Sequence, residues 1–295
     1  MSYQIEFSEA ADPFPRSPSF NLPTKACDTH AHVFGPQCQY PYAPNRSYTP
    51  SDAPVGAYLH LHQRLGIERG ILVQPSIYGT DNQLHLDSLN YIRMQGKDYK
   101  GIAVVAANVS EAELDTLADS GYCGGRMNLL FKGGIEWRDI VKLADRFAAR
   151  DWHLQFLVDV SNFEHIESRV KALPVPVVFD HMGHMDCERG IQNNGFQALL
   201  KLLRDGRAWV KLSGAYRNTH EMQPPYLDIQ PFAQSLIEAN SERCIWGSDW
   251  PHPHISKAMP NDGELLDLLF KWAPDETTRN RILVDNPANL YGFSG

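Results

Sequence analysis

The chain has 295 residues, of which 43% are hydrophobic and 21% charged, and its formal net charge is −8 at pH 7. This composition is typical of a soluble globular protein that can bury a large core. The acidic balance, without a basic tract that could neutralise phosphate groups, argues against a nucleic-acid or acidic-membrane partner.

Residues 1–23 are polar and acidic, contain prolines, and lack an apolar core of signal-peptide length. We expect an irregular N-terminal arm over this range, followed by a single domain over residues 24–295. Nowhere do about 20 apolar residues run together, so no membrane span is expected. The five cysteines are scattered and form no Cys-x-x-Cys pair, which indicates a reduced, cytoplasmic protein.

The first predicted strand, over residues 27–34, carries two histidines one residue apart. Successive side chains of a strand point to opposite faces, so His30 and His32 project to the same side. Two imidazoles aimed into one site can bind a divalent metal or polarise a substrate oxygen. The pair could instead fix the end of the strand by hydrogen bonds, and so short a motif does not decide between these roles.

Beyond this strand, helices and apolar strands alternate along the chain. Residues 35–53 contain four prolines and three tyrosines, which predicts a long irregular loop. Helices are predicted over residues 55–65, 80–94, 110–120, 137–150, 163–171, 196–203, 231–239, 263–272 and 276–284. Further strands are predicted over residues 69–75, 101–107, 124–130, 153–158, 175–181, 208–213 and 243–249.

The pattern therefore contains eight strands that are apolar on both faces, each followed by a helix. Strands of this kind form parallel sheets, and eight such units predict an α/β fold of the closed (β/α)8 type, a TIM barrel. An open, doubly wound sheet is the alternative. The first strand is not followed by the Gly-x-Gly-x-x-Gly fingerprint that would favour it.

Polar and ionisable residues follow most of the predicted strands, where a barrel places its catalytic groups. Such residues are costly to bury unless they have partners or a chemical task. At these positions the sequence has His30, His32, Gln74, Ser76, Arg126, Asn128, Asp180, His181, Ser213, Arg217, Ser248 and Asp249. His252 and His254 follow Asp249 and could either supplement this site or be plain surface groups.

Three stretches resemble the signature motifs of the amidohydrolase superfamily, in the branch of 2-pyrone-4,6-dicarboxylate lactonase: CDTHAHVFGP at 27–36, FDHMG at 179–183 and IWGSDWPHP at 245–253. The resemblance runs from about Pro23 to the end of the chain. It implies a (β/α)8 barrel and hydrolysis of a cyclic ester dicarboxylate without a metal.

The resemblance also assigns roles to individual residues. His30, His32 and His181 match the family's histidines, and Asp249 matches the aspartate that acts as general base on water. The substrate-binding residues match at Arg126, Arg217, Lys132, Tyr48 and Ser76. A family arginine falls on Lys132 and a family tyrosine on Leu157, so the pocket is expected to be related but altered.

The residues alone support the same chemistry, because opening a lactone needs an activated water and a group that stabilises charge on the carbonyl oxygen. We therefore predict a hydrolase for a small carboxylated lactone, either 2-pyrone-4,6-dicarboxylate or a muconolactone-like compound. No cofactor is required in this prediction; if zinc or manganese binds, its ligands are His30, His32, His181 and Asp249. The alternatives are a metal-dependent decarboxylase, a lactone isomerase or a non-catalytic carboxylate binder, and a monomer or small homo-oligomer is expected.

Overall fold

The computed structural model describes residues 5–130 and 135–293. Ten strands lie in these ranges. They are β1 Glu6–Ser8, β2 Cys27–Ala31, β3 Tyr48–Pro50, β4 Arg69–Val73, β5 Tyr99–Ala103, β6 Tyr122–Asn128, β7 His153–Leu157, β8 Val177–Phe179, β9 Ala208–Leu212 and β10 Cys244–Trp246.

Eight of these strands form one sheet in the order β10-β9-β8-β7-β6-β5-β4-β2, and every neighbouring pair is parallel. The two edges meet just beyond the strand ends, where Ala31 and Trp250 form a parallel bridge. Across this seam the Asp249 amide donates to His30 O and the His32 amide donates to Trp250 O, both at 2.8 Å. The closed (β/α)8 barrel is thereby confirmed, and the open sheet is wrong.

Helices separate the strands and cover the outside of the barrel. They are α1 Val55–Leu65, α2 Gln83–Met94, α3 Glu111–Asp119, α4 Trp137–Ala148, α5 Ile166–Lys171, α6 Asn194–Arg204, α7 Ala215–Asn218, α8 Gln230–Asn240, α9 Asp262–Trp272, α10 Glu276–Asn280 and α11 Asn286–Tyr291. Helix α3 begins at a capping box between Ser110 and Glu113, as the sequence allows. No helix within the described ranges is long and apolar enough to cross a membrane.

The structure differs from the predicted elements mainly at strand ends. Strands β8 and β10 stop two and three residues earlier than predicted, at Phe179 and Trp246. The residues beyond leave extended geometry, with φ of 49° at His181 and 64° at Asp249. The predicted helix 276–284 instead passes through a π turn at Arg281–Asp285 into α11, whose Pro287 has no amide proton for the preceding turn.

Within the N-terminal arm, β1 forms a short parallel pair with β3 of the long proline-rich loop. The Ser51 amide also donates to Ser8 O at 3.2 Å. This pairing fixes β3, and with it Tyr48, beside the carboxyl ends of the barrel strands.

The barrel interior changes character along its axis. Towards the amino ends of the strands it is apolar, and residues from the end of the chain contribute to the same cluster. This cluster contains Cys27, Ile71, Val73, Ile102, Val178, Trp209, Ile245, Tyr291 and Phe293. Towards the carboxyl ends the inward positions are polar or charged although fully or almost fully buried, namely Arg126, Gln155, Asp180 and Lys211.

Candidate active site

The two histidines of the first barrel strand lie at its carboxyl end and are almost completely buried. His32 Nδ1 donates to Val73 O at 2.6 Å, so Nε2 carries no proton and has a lone pair. Nε2 lies 3.8 Å from Asp249 Oδ1. His30 Nε2 lies 3.7 Å from the same oxygen. A Cβ atom on Gly247 would lie 2.7 Å from His30 Cβ, so glycine there lets the two strands approach closely.

Asp249 stands at the centre of the site, in the turn that follows β10. Its Oδ2 accepts hydrogen bonds from Tyr216 OH and Arg217 Nε, both at 2.6 Å. Within the described residues, Oδ1 has no hydrogen-bond partner although it is buried. Burial raises the pKa of Asp249, but the attraction of the Arg217 guanidinium and of the neighbouring His181, His30 and His32 together outweighs burial and holds that pKa well below its usual value. The carboxylate is therefore ionised and one of its oxygens is free.

His181 completes the predicted catalytic group. Its Nδ1 lies 3.0 Å from Ser213 Oγ and 3.8 Å from Asp249 Oδ2, and its ring centroid is 4.7 Å from that of His30. Burial lowers the pKa of His30 and holds the pKa of both His32 and His181 well below the usual value for histidine. All three imidazoles are therefore neutral near pH 7.

A cavity of about 310 Å³ opens onto these groups. Of the predicted site residues, its walls include His32, His181 and Asp249 together with Tyr48, Ser76, Arg126 and Arg217. His30 lies behind this wall, in contact with the other histidines. Lys132 lies outside the described residues.

The predicted substrate-binding residues occupy different sides of the cavity. Arg126 is 8% exposed and its Nε lies 3.4 Å from Asp180 Oδ2. The carboxylate of Asp180 therefore partly neutralises the charge of Arg126. Tyr48 stacks on His254, with ring centroids 5.4 Å apart. Leu157, where the resemblance implies a tyrosine, presents an apolar wall to the cavity.

Residues 27–293, nearly all of the chain, match the family model described as amidohydrolase. The protein belongs to the amidohydrolase family. It is 39% identical to 4-sulfomuconolactone hydrolase of Hydrogenophaga intermedia, over 92% of this chain and 90% of that protein. It is 35% identical to 2-pyrone-4,6-dicarboxylate hydrolase of Comamonas testosteroni, over 94% and 93% of the two chains.

This amidohydrolase is also similar to a relative that is named as an isomerase and to solved structures. It is 30% identical to D-galactarolactone isomerase of Agrobacterium fabrum, over 94% of each chain. Among solved structures, it is similar to a probable 2-pyrone-4,6-dicarboxylic acid hydrolase of Acinetobacter baumannii with citric acid bound. That match has a TM-score of 0.80 and 28% identity, and it covers 92% of this chain and 100% of the other.

The amidohydrolase contains a buried charged network below the site that the sequence analysis did not identify as functional. Lys211 Nζ donates to Gln155 Oε1 at 2.7 Å and lies 3.5 Å from Asp180 Oδ1 and 3.1 Å from His30 Nδ1. Burial lowers the pKa of Lys211 to about 8. The available signal was a lysine inside an apolar strand, at an inward position two residues after Trp209.

Two further polar residues that line the cavity, Tyr216 and Lys257, were missed, and His184, which lies close to His181 in sequence, lines it as well. Lys257 Nζ donates to Tyr216 O at 3.1 Å and also to Thr219 O. Within residues 5–130 and 135–293 it forms no salt bridge with a carboxylate, so its positive charge remains available to a bound acid. It follows Asp249 on an irregular loop, and no sequence pattern marks a lysine there as part of a pocket.

The histidine and aspartate positions fit a divalent metal. Nitrogen atoms of His30 and His181 and an oxygen of Asp249 lie within 4.8 Å of one another, and His32 Nε2 lies 3.8 Å from Asp249 Oδ1. Whether His30 can bind a metal through Nε2 depends on whether Nδ1 carries the ring proton. If Nδ1 donates to Asp180 Oδ1, 3.2 Å away, His30 Nε2 offers a lone pair; if Nδ1 accepts from Lys211, Nε2 carries the proton.

Proposed function

We propose that this amidohydrolase opens a small lactone that carries acid groups, of the 2-pyrone-4,6-dicarboxylate or muconolactone type. The observation that carries the proposal is the free, buried Oδ1 of Asp249 at the wall of a cavity that also contains Arg126, Arg217 and Lys257. A protein that only bound acids would have no use for an ionised carboxylate beside its cationic groups. The relatives named as lactone hydrolases support the same reaction class.

The water is held between two acceptors in this proposal. Asp249 Oδ1 and His32 Nε2 lie 3.8 Å apart, within reach of one water that donates a hydrogen bond to each. A lone pair of this water attacks the lactone carbonyl carbon while Asp249 Oδ1 accepts the proton. The carbonyl π electrons move to its oxygen, and a tetrahedral intermediate forms.

The intermediate places negative charge on the former carbonyl oxygen, which needs a hydrogen-bond donor. When Ser213 Oγ donates to His181 Nδ1, 3.0 Å away, His181 Nε2 carries the proton that can serve this oxygen. Collapse of the intermediate breaks the ring carbon–oxygen bond. Asp249 then returns its proton to the ring oxygen. The new carboxylic acid releases its remaining proton to solvent, and the product is an open hydroxy or keto acid with one new carboxylate.

Cationic groups orient the substrate so that its carbonyl meets the water. Arg126 and Lys257 both line the cavity, and Lys132 is proposed as a third cation by the family resemblance. The structure of the Acinetobacter baumannii relative holds citric acid, a tricarboxylic acid, which supports a site that accepts several acid groups. Positioning of this kind contributes several powers of ten to enzymatic rates.

The reaction does not require a metal in this proposal, since Asp249 and the three histidines supply a base, a water site and a donor. Should zinc or manganese bind, His30, His32, His181 and Asp249 would hold it, and it would lower the pKa of water and polarise the carbonyl oxygen. Elemental analysis of the purified protein, with rates before and after chelator treatment, separates the two cases. Full activity at less than about 0.1 metal per chain supports the metal-free reaction.

The test of function is turnover of a lactone panel followed by ultraviolet loss, starting with 2-pyrone-4,6-dicarboxylate and then muconolactones. In water labelled with oxygen-18, hydrolysis adds one labelled oxygen to the new carboxylate. A lactone isomerase, which the Agrobacterium fabrum relative favours as second candidate, would give an unlabelled product that is still a lactone. Release of carbon dioxide would indicate a decarboxylase. Binding without turnover on the whole panel would contradict an enzymatic role.

We further propose that the protein works in the cytoplasm, as a monomer or small homo-oligomer. All five cysteines are unpaired, and two of them, Cys27 and Cys244, are buried in barrel strands. Free thiols of this kind are typical of reducing compartments. Fractionation of the source cells tests the location, and light scattering of the purified protein measures its oligomeric state.

A further inference from the structure

A chain of three buried side chains, those of Tyr216, His252 and Asp262, extends from Asp249 Oδ2. Tyr216 OH donates to Asp249 Oδ2 at 2.6 Å, His252 Nδ1 lies 3.0 Å from the same hydroxyl, and His252 Nε2 lies 3.2 Å from Asp262 Oδ1. Tyr216 is 2% exposed, and His252, Asp262 and Asp249 itself are completely buried. The contacts given above for the three site histidines involve neither His252 nor Asp262.

The direction of each hydrogen bond follows from counting protons. An ionised carboxylate only accepts, so the single hydroxyl proton of Tyr216 must point to Asp249. The oxygen of Tyr216 then accepts from His252, which requires a proton on Nδ1. His252 Nε2 and Asp262 Oδ1 would face each other as two lone pairs unless a further proton lies between them. The pair is therefore either imidazolium with carboxylate or imidazole with carboxylic acid.

The backbone keeps this chain in place. His252 N–H donates to Asp249 O at 2.8 Å, so one tight turn carries both the aspartate and the histidine. Asp262 is the first residue of α9, and that helix begins with Asn261 accepting from the Gly263 amide. Within the described residues, both carboxylate oxygens of Asp262 and Nε2 of His252 have no other hydrogen-bond partner. Burying such groups is costly unless they have a task.

Building on the proposed lactone hydrolysis, we propose that Asp262 and His252 are positioning residues that keep Tyr216 as a donor to Asp249 Oδ2. Tyr216 and Arg217 together then occupy Oδ2 completely, and Oδ1 is the only oxygen that can accept the proton of water. The water is activated from one fixed side, the side that faces His32 and the cavity. Without the chain, either oxygen could accept, and the water would spend part of its time away from the line of attack.

Two variants at Asp262 distinguish a role in positioning Tyr216 from a general role in stabilising the fold. In Asp262→Asn the amide N–H donates to His252 Nε2, which keeps the proton on Nδ1 and Tyr216 in place. In Asp262→Leu this donor is lost, and His252 can turn or change tautomer. We expect kcat to fall by about 10–100-fold in Asp262→Leu and in Tyr216→Phe, as for other partners that orient a reacting group. KM should change by less than about threefold, and Asp262→Asn should keep kcat within about threefold of the natural protein.

The results decide the proposal in either direction. Equal kcat in Asp262→Asn and Asp262→Leu, or a rise in KM matching the loss of kcat, would overturn it, because a structural role moves both constants and is not rescued by the amide. Melting temperatures of all three variants show whether each stays folded at the assay temperature.

A second readout does not depend on activity. In the full-length protein with nitrogen-15 labelled histidine, the ring of His252 is identified by its absence in His252→Asn, and a protonated Nδ1 is expected. An unprotonated Nδ1 would disprove the chain. If no lactone were turned over but Nδ1 were protonated, the proposed function would fail while the hydrogen-bond chain stood.

Discussion

The two ends of the barrel interior are both buried, but one is lined by apolar side chains and the other by polar and charged ones. The amino end is closed by apolar side chains such as Ile71, Trp209 and Phe293. At the carboxyl end, completely buried charged groups, Lys211 and Asp180 among them, lie within 4 Å of each other or of the site histidines. Apolar burial stabilises the fold directly. Buried charges roughly break even in stability, so their presence at one end indicates a chemical purpose.

The network of charges also explains how neutral histidines and an ionised aspartate coexist in one buried site. Asp180 lies between Lys211, Arg126 and His30, and Asp249 is paired with Arg217. Each carboxylate therefore has its own permanent cation. The imidazoles do not need to become protonated to neutralise them and remain available as acceptors and donors.

The largest effect is expected at the carboxyl end. In Asp249→Asn the amide keeps the shape of the side chain but cannot accept the proton of water, so kcat for the active lactone should fall by about a thousandfold or more. Steady-state kinetics on purified protein measure this, and the melting temperature confirms folding. A variant with near-natural rate would remove Asp249 from the role of base.

A substitution at the amino end of the barrel should lower the stability of the protein and leave its catalytic rate nearly unchanged. Ile71→Ala removes buried methyl and methylene groups from a completely buried position and should lower the free energy of unfolding by about 2–5 kcal/mol. Urea unfolding measures the loss. At a temperature where the variant is folded, kcat/KM should stay within about twofold, and a large fall would show that the two ends are not independent.

A smaller effect is expected for a cation at the cavity rim. Lys257→Met keeps the length of the side chain but removes its charge, and KM for a dicarboxylic lactone should rise by about 3–10-fold with kcat little changed. The matched control is Lys142→Met on α4, where the lysine side chain is 71% exposed and pairs with Asp139. If both variants behaved alike, Lys257 would not contact the substrate.

The smallest effect concerns mild acid. Since the pKa of Asp249 is held well below its ordinary value, the base stays deprotonated as the pH falls from 7 to 5. The pKa values of His32 and His181 are held well below the usual value for histidine and keep these two imidazoles neutral over the same range, and the pKa of His30 is also lowered by burial. We expect kcat/KM to change by less than about twofold between these values. Half-loss of activity near pH 6.5, where an ordinary histidine titrates, would contradict this arrangement.

Several features of this amidohydrolase could be read from local sequence. Short runs that are apolar on both faces, and the helices between them, predicted all eight barrel strands and their order, because such runs and the helical period are properties of short segments. The polar residues after those strands predicted that His30, His32, His181 and Asp249 share one end of the barrel. The predicted substrate contacts Tyr48, Ser76, Arg126 and Arg217 line the resulting cavity, while their roles in catalysis and binding stay predictions.

Other features depended on packing between segments far apart in the chain. His252 was weighed as a possible surface group, yet it is completely buried between Tyr216 and Asp262. Lys211 looked like one residue of an apolar strand, although it contacts Gln155 and His30 in the middle of the barrel.

The sequence by itself determined the elements, the barrel and the end at which the site lies, because periodicity and chain order suffice for these. Only the tertiary structure decided which oxygen of Asp249 is free and which partners each histidine nitrogen meets. Those properties depend on hydrogen-bond partners brought within about 3 Å by folding. No local pattern records which distant residue will be that partner.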